Sequence, residues 1–348
     1  MTKHFPDIGI VGATGVVGRE ALDILESRGH PPESIRCFGS VRSAGSTLSY
    51  MGTALPVLPM DQIIDTPLDF ALLCASSQVA VQVRALLSGL PTTIIDNSSA
   101  FRMEPDVPLV IPEVNGDLLE HKPAVVANPN CSTIMMLTAL QPIRNNFGIQ
   151  SICVTTYQAV SGAGKAGIQE LRNQSQSYLD GRDESPSVFP VSCAMNVFEH
   201  ESEIDPDTGF NGEETKMIQE SRRIWEDPSL SVLPTCVRVP VERAHSQAIT
   251  VELDIPVRVE QIRDALRVPG IQVMDDGFPL TPRDAAGRDE VFIGRIRIDP
   301  SSDGKRVLLW ICCDQVRKGA ALNAIQIMDS FRNVEQSVSE NTFNHACS

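Results

Sequence analysis

Positive charge, long apolar runs and paired cysteines are scarce in this sequence, and each scarcity excludes a class of function. Lysine and arginine number 29 against 44 aspartates and glutamates, a formal net charge of -15. Nucleic acid or an anionic membrane requires a basic face to offset phosphate charge, so neither is expected as a partner. An anionic small substrate must instead be held by a few local cations. No apolar run reaches the ~18 residues of a membrane span, and no basic-then-apolar leader precedes the strand-like run at Ile8. Both features point to the cytoplasm. Nine cysteines, from Cys37 to Cys347, show no C-x-x-C spacing. That pattern fits neither a disulfide framework nor a zinc site, so no metal is expected and most thiols are read as reduced core residues. Internal repeats and low-complexity tracts are also missing.

What is present is a chain of 348 residues, 42% hydrophobic, long enough for two domains. From residue 7 to 127, short β-rich runs alternate with helical stretches: Asp7 to Val11, Ile35 to Phe38, Phe70 to Cys74, Thr93 to Asp96 and Ala124 to Ala127. This alternation predicts an α/β fold with a doubly wound parallel Rossmann-type sheet. Beyond Cys131 the runs lengthen and alternate, at Ile152 to Tyr157, Ala248 to Ile255, Val291 to Ile298 and Val307 to Cys312, with a helical Val259 to Leu266. Those predict an α+β domain with a mostly antiparallel sheet covered on one face. Residues 1–130 are therefore expected to bind the cofactor, completed by a C-terminal helix over 318–332. Residues 131–317 would form the catalytic and oligomerisation domain. The stretch from Ser175 to Asp207, rich in Ser, Pro, Asp and Gly, reads as a long excursion and a candidate oligomer contact. A frayed tail is expected from Asn333.

Gly12-Ala13-Thr14-Gly15-Val16-Val17-Gly18 follows the first strand and opens a helix whose Val17, Leu22 and Leu25 can face the sheet. Glycines there permit a tight turn and let backbone N–H groups approach a pyrophosphate at the helix N-terminus. An NAD site usually places an acidic residue after the second strand, but here that strand runs into Ser40-Val41-Arg42-Ser43. Hydroxyls and a guanidinium suit a 2′-phosphate, so NADP is the expected cofactor. The candidate contacts are Gly12, Thr14, Gly15, Val16, Val17, Ser40, Arg42, Ser43 and Ser76.

Asn128-Pro129-Asn130-Cys131-Ser132-Thr133 sits where a strand ends and an apolar helical run, Ile134, Leu137 and Leu140, begins. A cysteine in that position points its sulfur into the positive end of a helix, which lowers a thiol pKa from ~8.5 and favours the nucleophilic thiolate. Of six histidines, His4, His30, His121, His200 and His345 lie in stretches that read as exposed, irregular or terminal. His245 follows Arg238-Val239-Pro240-Val241-Glu242-Arg243-Ala244 between two strand-like runs. A neutral imidazole there can take a thiol or hemithioacetal proton, so His245 is the acid/base candidate.

Over nearly its whole length the chain resembles the aspartate-semialdehyde dehydrogenases. The likeness rests on the glycine turn, on Ser98-Ser99-Ala100-Phe101-Arg102-Met103, and on Asn128 to Thr133. It continues through Thr156-Tyr157-Gln158-Ala159-Val160-Ser161-Gly162-Ala163-Gly164, Arg238 to Val241 with His245, and Lys318-Gly319-Ala320-Ala321-Leu322-Asn323. The resemblance implies Cys131 as nucleophile, Gln158 orienting the thioester and His245 shuttling the proton. It implies that Arg238 grips an α-carboxylate by a bidentate fork and that Glu213 meets the α-amino group, with the register between Glu213 and Glu214 left open. Arg102, Asn130 and Lys216 would bind phosphate; Ser161, Gly164 and Asn323 would touch the cofactor. The implied reaction interconverts aspartate semialdehyde, inorganic phosphate and NADP⁺ with β-aspartyl phosphate and NADPH, in lysine, diaminopimelate, methionine and threonine biosynthesis. A homodimer or homotetramer is the family-like expectation. The alternatives are N-acetyl-γ-glutamyl-phosphate reductase, which resembles Asn-Pro-Gly-Cys at the nucleophile, the more distant glyceraldehyde-3-phosphate dehydrogenase, and a non-catalytic dinucleotide-binding regulator.

Overall fold

The computed structural model describes residues 5–331 except 183, 275, 276 and 278. Expectations for His4, for His345 and for the tail from Asn333 fall outside the described residues. The chain divides into two compact units, one running up to Pro129 and again from Ala320, the other Asn130–Gly319.

In the first unit, β1 (Ile8–Val11), β2 (Ile35–Gly39), β3 (Thr47–Tyr50), β4 (Thr53–Pro59), β5 (Phe70–Leu73), β6 (Thr93–Asp96) and β7 (Val125–Ala127) form one sheet in the order β3-β4-β2-β1-β5-β6-β7. All neighbours pair in parallel except β3 with β4. That hairpin is not anticipated by the sequence pattern. Its two-residue turn is Met51-Gly52, both at positive φ (46° and 72°), a conformation usually signalled by Asn-Gly and here masked by methionine. Helix α1 (Val16–Ser27) buries Leu22 and Leu25, with Val17 packed at the edge of the same core. The unit also carries α2 (Ser77–Leu86) and the single-turn α3 (Pro112–Asn115). Its core takes in Ala321, Leu322, Ile325 and Met328 from helical residues 322–331 and the turn before them, closed by Phe331 edge-on to Phe70. The start of that helix is a π-turn, Arg317–Ala321. His30, expected to be exposed, is buried, and its carbonyl accepts from the Tyr50 hydroxyl at 2.7 Å.

The second unit holds β8 (Ser151–Gln158), β9 (Phe198–Glu199), β10 (Ser231–Arg238), β11 (His245–Glu252), β12 (Ile271–Val273), β13 (Val291–Ile298) and β14 (Arg306–Cys313), in the order β12-β13-β14-β11-β8-β10-β9. Strand β10 escapes the sequence pattern because Pro234 sits inside it. The proline is tolerated because β9 pairs with β10 only at Val237 and Arg238, leaving Pro234 on an edge. Helices α4 (Cys131–Phe147), α5 (Gly164–Leu179), α6 (Gly212–Ile224), α7 (Val259–Ala265) and α8 (Pro282–Ala285) complete the unit. Helix α4 is buried all round from Ser132 to Leu140, which explains an apolar run with little amphipathic bias. The Ser175 to Asp207 excursion begins as the last turn of α5 and carries β9.

Register decides where the chemistry sits. Side chains alternate along a strand, so Ile152, Val154, Thr156 and Gln158 share the buried face of β8. Arg238 pairs with Gln158 in parallel register, and Ser246 pairs antiparallel with Tyr157, which sets His245 beside Gln158. Arg238, Gln158 and His245 thus stand in one row across three strands, on one face and at one end of the sheet.

Candidate active site

In the first unit, a cleft of about 680 Å³ is lined by Gly12, Thr14, Gly15, Ser40, Ser43 and Ala75, among others. Gly12 has φ of +80°, and a Cβ there would meet the Cys74 carbonyl oxygen at 2.5 Å; a Cβ on Gly18 would meet the Gly12 oxygen at 2.4 Å. Gly15 is the N-cap of α1 and offers no side-chain cap, so the first N–H groups of that helix face the turn. These features fit a dinucleotide pyrophosphate. Ser40 and Ser43 line the cleft and approach each other at 3.4 Å; Arg42 between them is exposed and is not part of the lining. Ser76 is the N-cap of α2, likewise without a side-chain cap bond. Asp61, in the 3-10 turn after β4, also lines the cleft, a carboxylate that sequence spacing did not place there.

Arg102 is buried in this unit, donating from Nε to the Asn128 carbonyl and from Nη2 to the Asn97 carbonyl, both at 2.9 Å. Asn323 is fully buried and donates to Asn128 Oδ1 at 2.6 Å and to the Val110 carbonyl at 3.1 Å. Both residues therefore brace the Asn128-Pro129 turn that leads to the cysteine.

In the second unit Cys131 is the first residue of α4. Asn130, its N-cap, accepts from the Ser132 and Thr133 amides at 2.9 and 3.4 Å, a cap worth ~1 kcal/mol. Its Nδ2 donates to Glu213 Oε1 at 2.8 Å, so this side chain, expected in a phosphate set, holds the nucleophile's turn. The Asn130 main-chain N–H donates to Glu220 Oε2 at 2.7 Å. Glu220 is not among the residues expected from sequence, although Glu213, Lys216, Met217 and Glu220 share one helical face by spacing. The thiols of Cys37, Cys193 and Cys312 are pushed up to about 11, 12 and 11, chiefly by burial, and Cys236 and Cys313 are raised as well. Such thiols are inert fillers. Cys153 lies exposed on the outer face of β8.

Glu213 and Glu214 separate by role. Glu214 closes a capping box with Asn211 and accepts from the Cys236 amide at 3.0 Å. Glu213 faces the row: it accepts from Asn130, from Gln158 Nε2 at 3.2 Å and from Lys216 Nζ at 3.1 Å. Burial works against its charge, yet Lys216, His200 and the Asn130 amide hold its pKa at about 2. Thr156 donates to Gln158 Oε1 at 3.0 Å and so fixes which way that amide points.

Ala159 ties the row together. Its N–H donates to His245 Nδ1 at 3.0 Å and its carbonyl accepts from Arg238 Nη1 at 3.0 Å. An amide N–H can only donate, so Nδ1 is the unprotonated nitrogen and the neutral ring carries its proton on Nε2. Burial, then the Arg238 charge, pushes the His245 pKa down to about 3. No described residue partners Nε2. A Cβ on Gly162 would lie 3.4 Å from Arg238 Nη1 and 4.0 Å from His245 Nε2, so both atoms look onto the space over that glycine. Two residues along, Gln247 donates to the Ser132 carbonyl at 2.9 Å, binding the same face of β11 to the first turn of α4. Immediately before His245, Ala244 sits at φ of +71° with its amide donating to Gln315 Oε1 at 2.9 Å. Gln315 in turn bonds the Ser161 hydroxyl, and Gly164, at φ of +76°, ends the 3-10 turn after Ser161. Among the described residues no cluster of three or more His, Cys, Asp or Glu is placed to hold a metal, and no helix is long and apolar enough to cross a membrane.

Arg238 is 2% exposed, and its fork is occupied: Nε and Nη2 donate to Glu201 at 3.2 and 2.6 Å, and Nη2 also meets His200 Nε2 at 3.0 Å. His200, expected to be exposed, is a half-buried partner of the site, with its pKa lowered by burial.

Residues 7–122 match the family described as semialdehyde dehydrogenase, NAD binding domain, and residues 140–318 match semialdehyde dehydrogenase, dimerisation domain. Aspartate-semialdehyde dehydrogenase of a Synechocystis species is 40% identical over 327 residues, 92% of this chain and 96% of that one. Aspartate-semialdehyde dehydrogenase 2 of Vibrio cholerae is 40% identical, covering 94% of this chain and 98% of its own. A crystal structure of aspartate semialdehyde dehydrogenase II from Vibrio cholerae, complexed with ASA, superposes with a TM-score of 0.89 at 38% identity, over 95% of this chain and 99% of that one.

Proposed function

The chain belongs to the aspartate-semialdehyde dehydrogenase family, and from that premise we propose that it is an NADP-dependent phosphorylating aldehyde dehydrogenase acting on aspartate semialdehyde through a thioester on Cys131. The observation that carries this reading is the row of Arg238, Gln158 and His245 on the face of the sheet to which Gln247 ties the first turn of α4.

In the oxidising direction the Cys131 thiolate adds to the aldehyde carbon, and the carbonyl electron pair moves onto oxygen. His245 donates a hydrogen bond from Nε2–H to that oxygen and keeps its proton. When the pair returns, the carbon gives up hydride and becomes a thioester; NADP⁺, when bound at the glycine turn and the Ser40-Arg42-Ser43 loop, supplies the hydride acceptor. A phosphate oxygen then attacks the thioester, the carbon–sulfur bond breaks, and β-aspartyl phosphate leaves with the thiolate restored. Biosynthesis towards lysine through diaminopimelate, methionine and threonine runs the sequence backwards. With Cys131 reacting as thiolate no step requires His245 to accept a proton, and its Nε2 already holds one. We therefore assign His245 the part of a fixed donor in place of the proton shuttle expected from sequence.

Gln158 orients the acyl group, Glu213 meets the α-amino group and Arg238 the carboxylate, while Lys216 and Arg102 supply positive charge for phosphate. Reduction of N-acetyl-γ-glutamyl phosphate and a purely regulatory role are not favoured, since relatives at about this identity are aspartate-semialdehyde dehydrogenases. We place the protein in the cytoplasm as a homodimer or homotetramer. Exposed Tyr178, Leu179, Met195, Val197 and Ile204 around the excursion support a contact between copies there.

The test is the rise of NADPH absorbance with aspartate semialdehyde, NADP⁺ and phosphate. Phosphate-dependent turnover is expected in the wild type and in Cys153→Ala, and none in a folded, NADP-binding Cys131→Ala. Near-normal turnover by Cys131→Ala, or none by the wild type, overturns the reading.

A further inference from the structure

We propose that His200 and Glu201 are positioning residues for the charged end of the substrate, holding the Arg238 guanidinium by its Nε–Nη2 edge so that Nη1 is the donor it presents over Gly162. The inference rests on the function proposed above and extends it to two residues of the excursion, which carries no recognisable motif.

Three contacts define the clamp. The Glu201 carboxylate takes Nε and Nη2 side by side, the bidentate geometry that fixes both the position and the plane of a guanidinium. His200 Nε2 lies 3.0 Å from Nη2, while its Nδ1 is held by the Ser202 amide at 3.3 Å and lies 3.1 Å from Ser202 Oγ. Ser202 Oγ in turn lies 3.3 Å from Asn211 Oδ1 and accepts from the Glu213 amide at 3.0 Å. The same chain of bonds thus sets Arg238 and the N-terminus of the helix that bears Glu213. The Phe189 ring, also from the excursion, lies 5.2 Å from the guanidinium carbon. What remains for a ligand is Nη1, which spends one bond on the Ala159 carbonyl and faces the space shared with His245 Nε2. A carboxylate arriving there meets one aimed N–H group instead of the open fork expected from sequence.

Glu201 acts through Arg238 and touches no reacting atom, so its loss should appear in affinity. With Glu201→Ala, the KM for aspartate semialdehyde should rise about tenfold, as loss of a charge-assisted bond implies. The kcat and the KM for phosphate should stay within about threefold, since uniform binding alone is lost. Glu201→Gln, which keeps length and one acceptor, should recover much of the affinity. In an Arg238→Lys background the Glu201→Ala effect should vanish, as residues acting as a unit are non-additive. Independently of turnover, the side-chain Nε–H signal of Arg238 in a ¹⁵N spectrum should be sharp in the wild type and broadened in Glu201→Ala. An unchanged Nε–H signal, or an undiminished Glu201→Ala effect in the Arg238→Lys background, overturns the clamp. A wild type with no aldehyde activity but the expected Nε–H behaviour overturns the proposed function and leaves the clamp standing.

Discussion

Gly319 lies tightly against Cys131: a Cβ on the glycine would stand 3.0 Å from the cysteine Cβ and 3.4 Å from its Cα, so the neighbours would have to give by a few tenths of an ångström. Gln315 Cβ closes the other side at 3.3 Å. The contact comes from the π-turn, whose wider winding is common at functional sites and here is anchored by the buried Asp314.

Gly319→Ala is therefore expected to displace the nucleophile while leaving the fold intact. Overpacking of this kind costs about 1–3 kcal/mol of stability; a misplacement of about 1 Å can cost roughly 10²-fold in kcat, so a thiol shifted by a few tenths of an ångström should lose less, on the order of several-fold. Steady-state kinetics beside a urea melt separates the two effects. A variant with wild-type kcat would mean that the neighbours yield and the sulfur stays in place.

The cofactor loop makes a second prediction. Arg42 is exposed beside the cleft, whereas Asp61 contributes a carboxylate to its lining. Arg42→Ala should weaken NADP by about 1.5–3 kcal/mol and leave NAD nearly unaffected, because the lost charge-assisted bond exists only with a 2′-phosphate. Asp61→Asn should shift preference further towards NADP by removing like charge. Titrating both cofactors against each variant decides it; equal losses for the two in Arg42→Ala would place the 2′-phosphate elsewhere.

Backbone strain is the third handle. Ala244 holds φ of +71° directly before His245, a conformation that costs an L-residue roughly 1–2 kcal/mol. Ala244→Gly should stay within about 1 kcal/mol of wild type, since relief of strain offsets the entropy of a glycine in the unfolded chain. Ala244→Val should lose about 2 kcal/mol or more, because β-branching is least compatible with positive φ. Denaturant midpoints compare the three, and a valine variant as stable as wild type would show that the turn relaxes freely.

Much of the scaffold was legible because β-branched runs and glycine turns are local signals. Of the strands that escaped, β10 is concealed by Pro234 and the β3-β4 hairpin by Met51 in its turn, while β9 and β12 span only two and three residues, too short to show an alternation. At the site, Cys131 was legible from its place between strand and helix, and His245 from its motif. His200 and Glu201 were not, since nothing in Ser175 to Asp207 signals that the chain returns beside β10 and delivers them to Arg238. Glu220 lay within reach of sequence reasoning through its helical spacing from Glu213. The open fork expected of Arg238 failed for the same reason as His200: charge partners come from tertiary approach, which no spacing reports.

The fourth prediction concerns what His245 does, and it turns on one hydrogen. With Nδ1 accepting from Ala159, the ring works as a donor at Nε2, and a pKa near 3 keeps it neutral throughout the physiological range. Glutamine at position 245 can place an amide N–H near Nε2 but cannot take up or give a proton, whereas the shorter asparagine can answer Ala159 yet falls short of Nε2. A donor role thus predicts that His245→Asn loses kcat by about 10²-fold or more, while His245→Gln retains a substantial part of it. A proton-shuttle role predicts that both are equally impaired. Stability provides a second reading. The folded pKa lies below the unfolded value of 6.5, so the stabilisation is fully present above that value and is lost as pH falls through it towards 3. His245→Gln, which does not titrate, should flatten that part of the wild-type stability curve. The measurements are kcat for the three proteins and urea midpoints from pH 7 to pH 4. Equal kcat losses in the two variants, together with an unchanged pH slope, would return His245 to acid/base duty and mean that the Ala159 bond gives way during turnover.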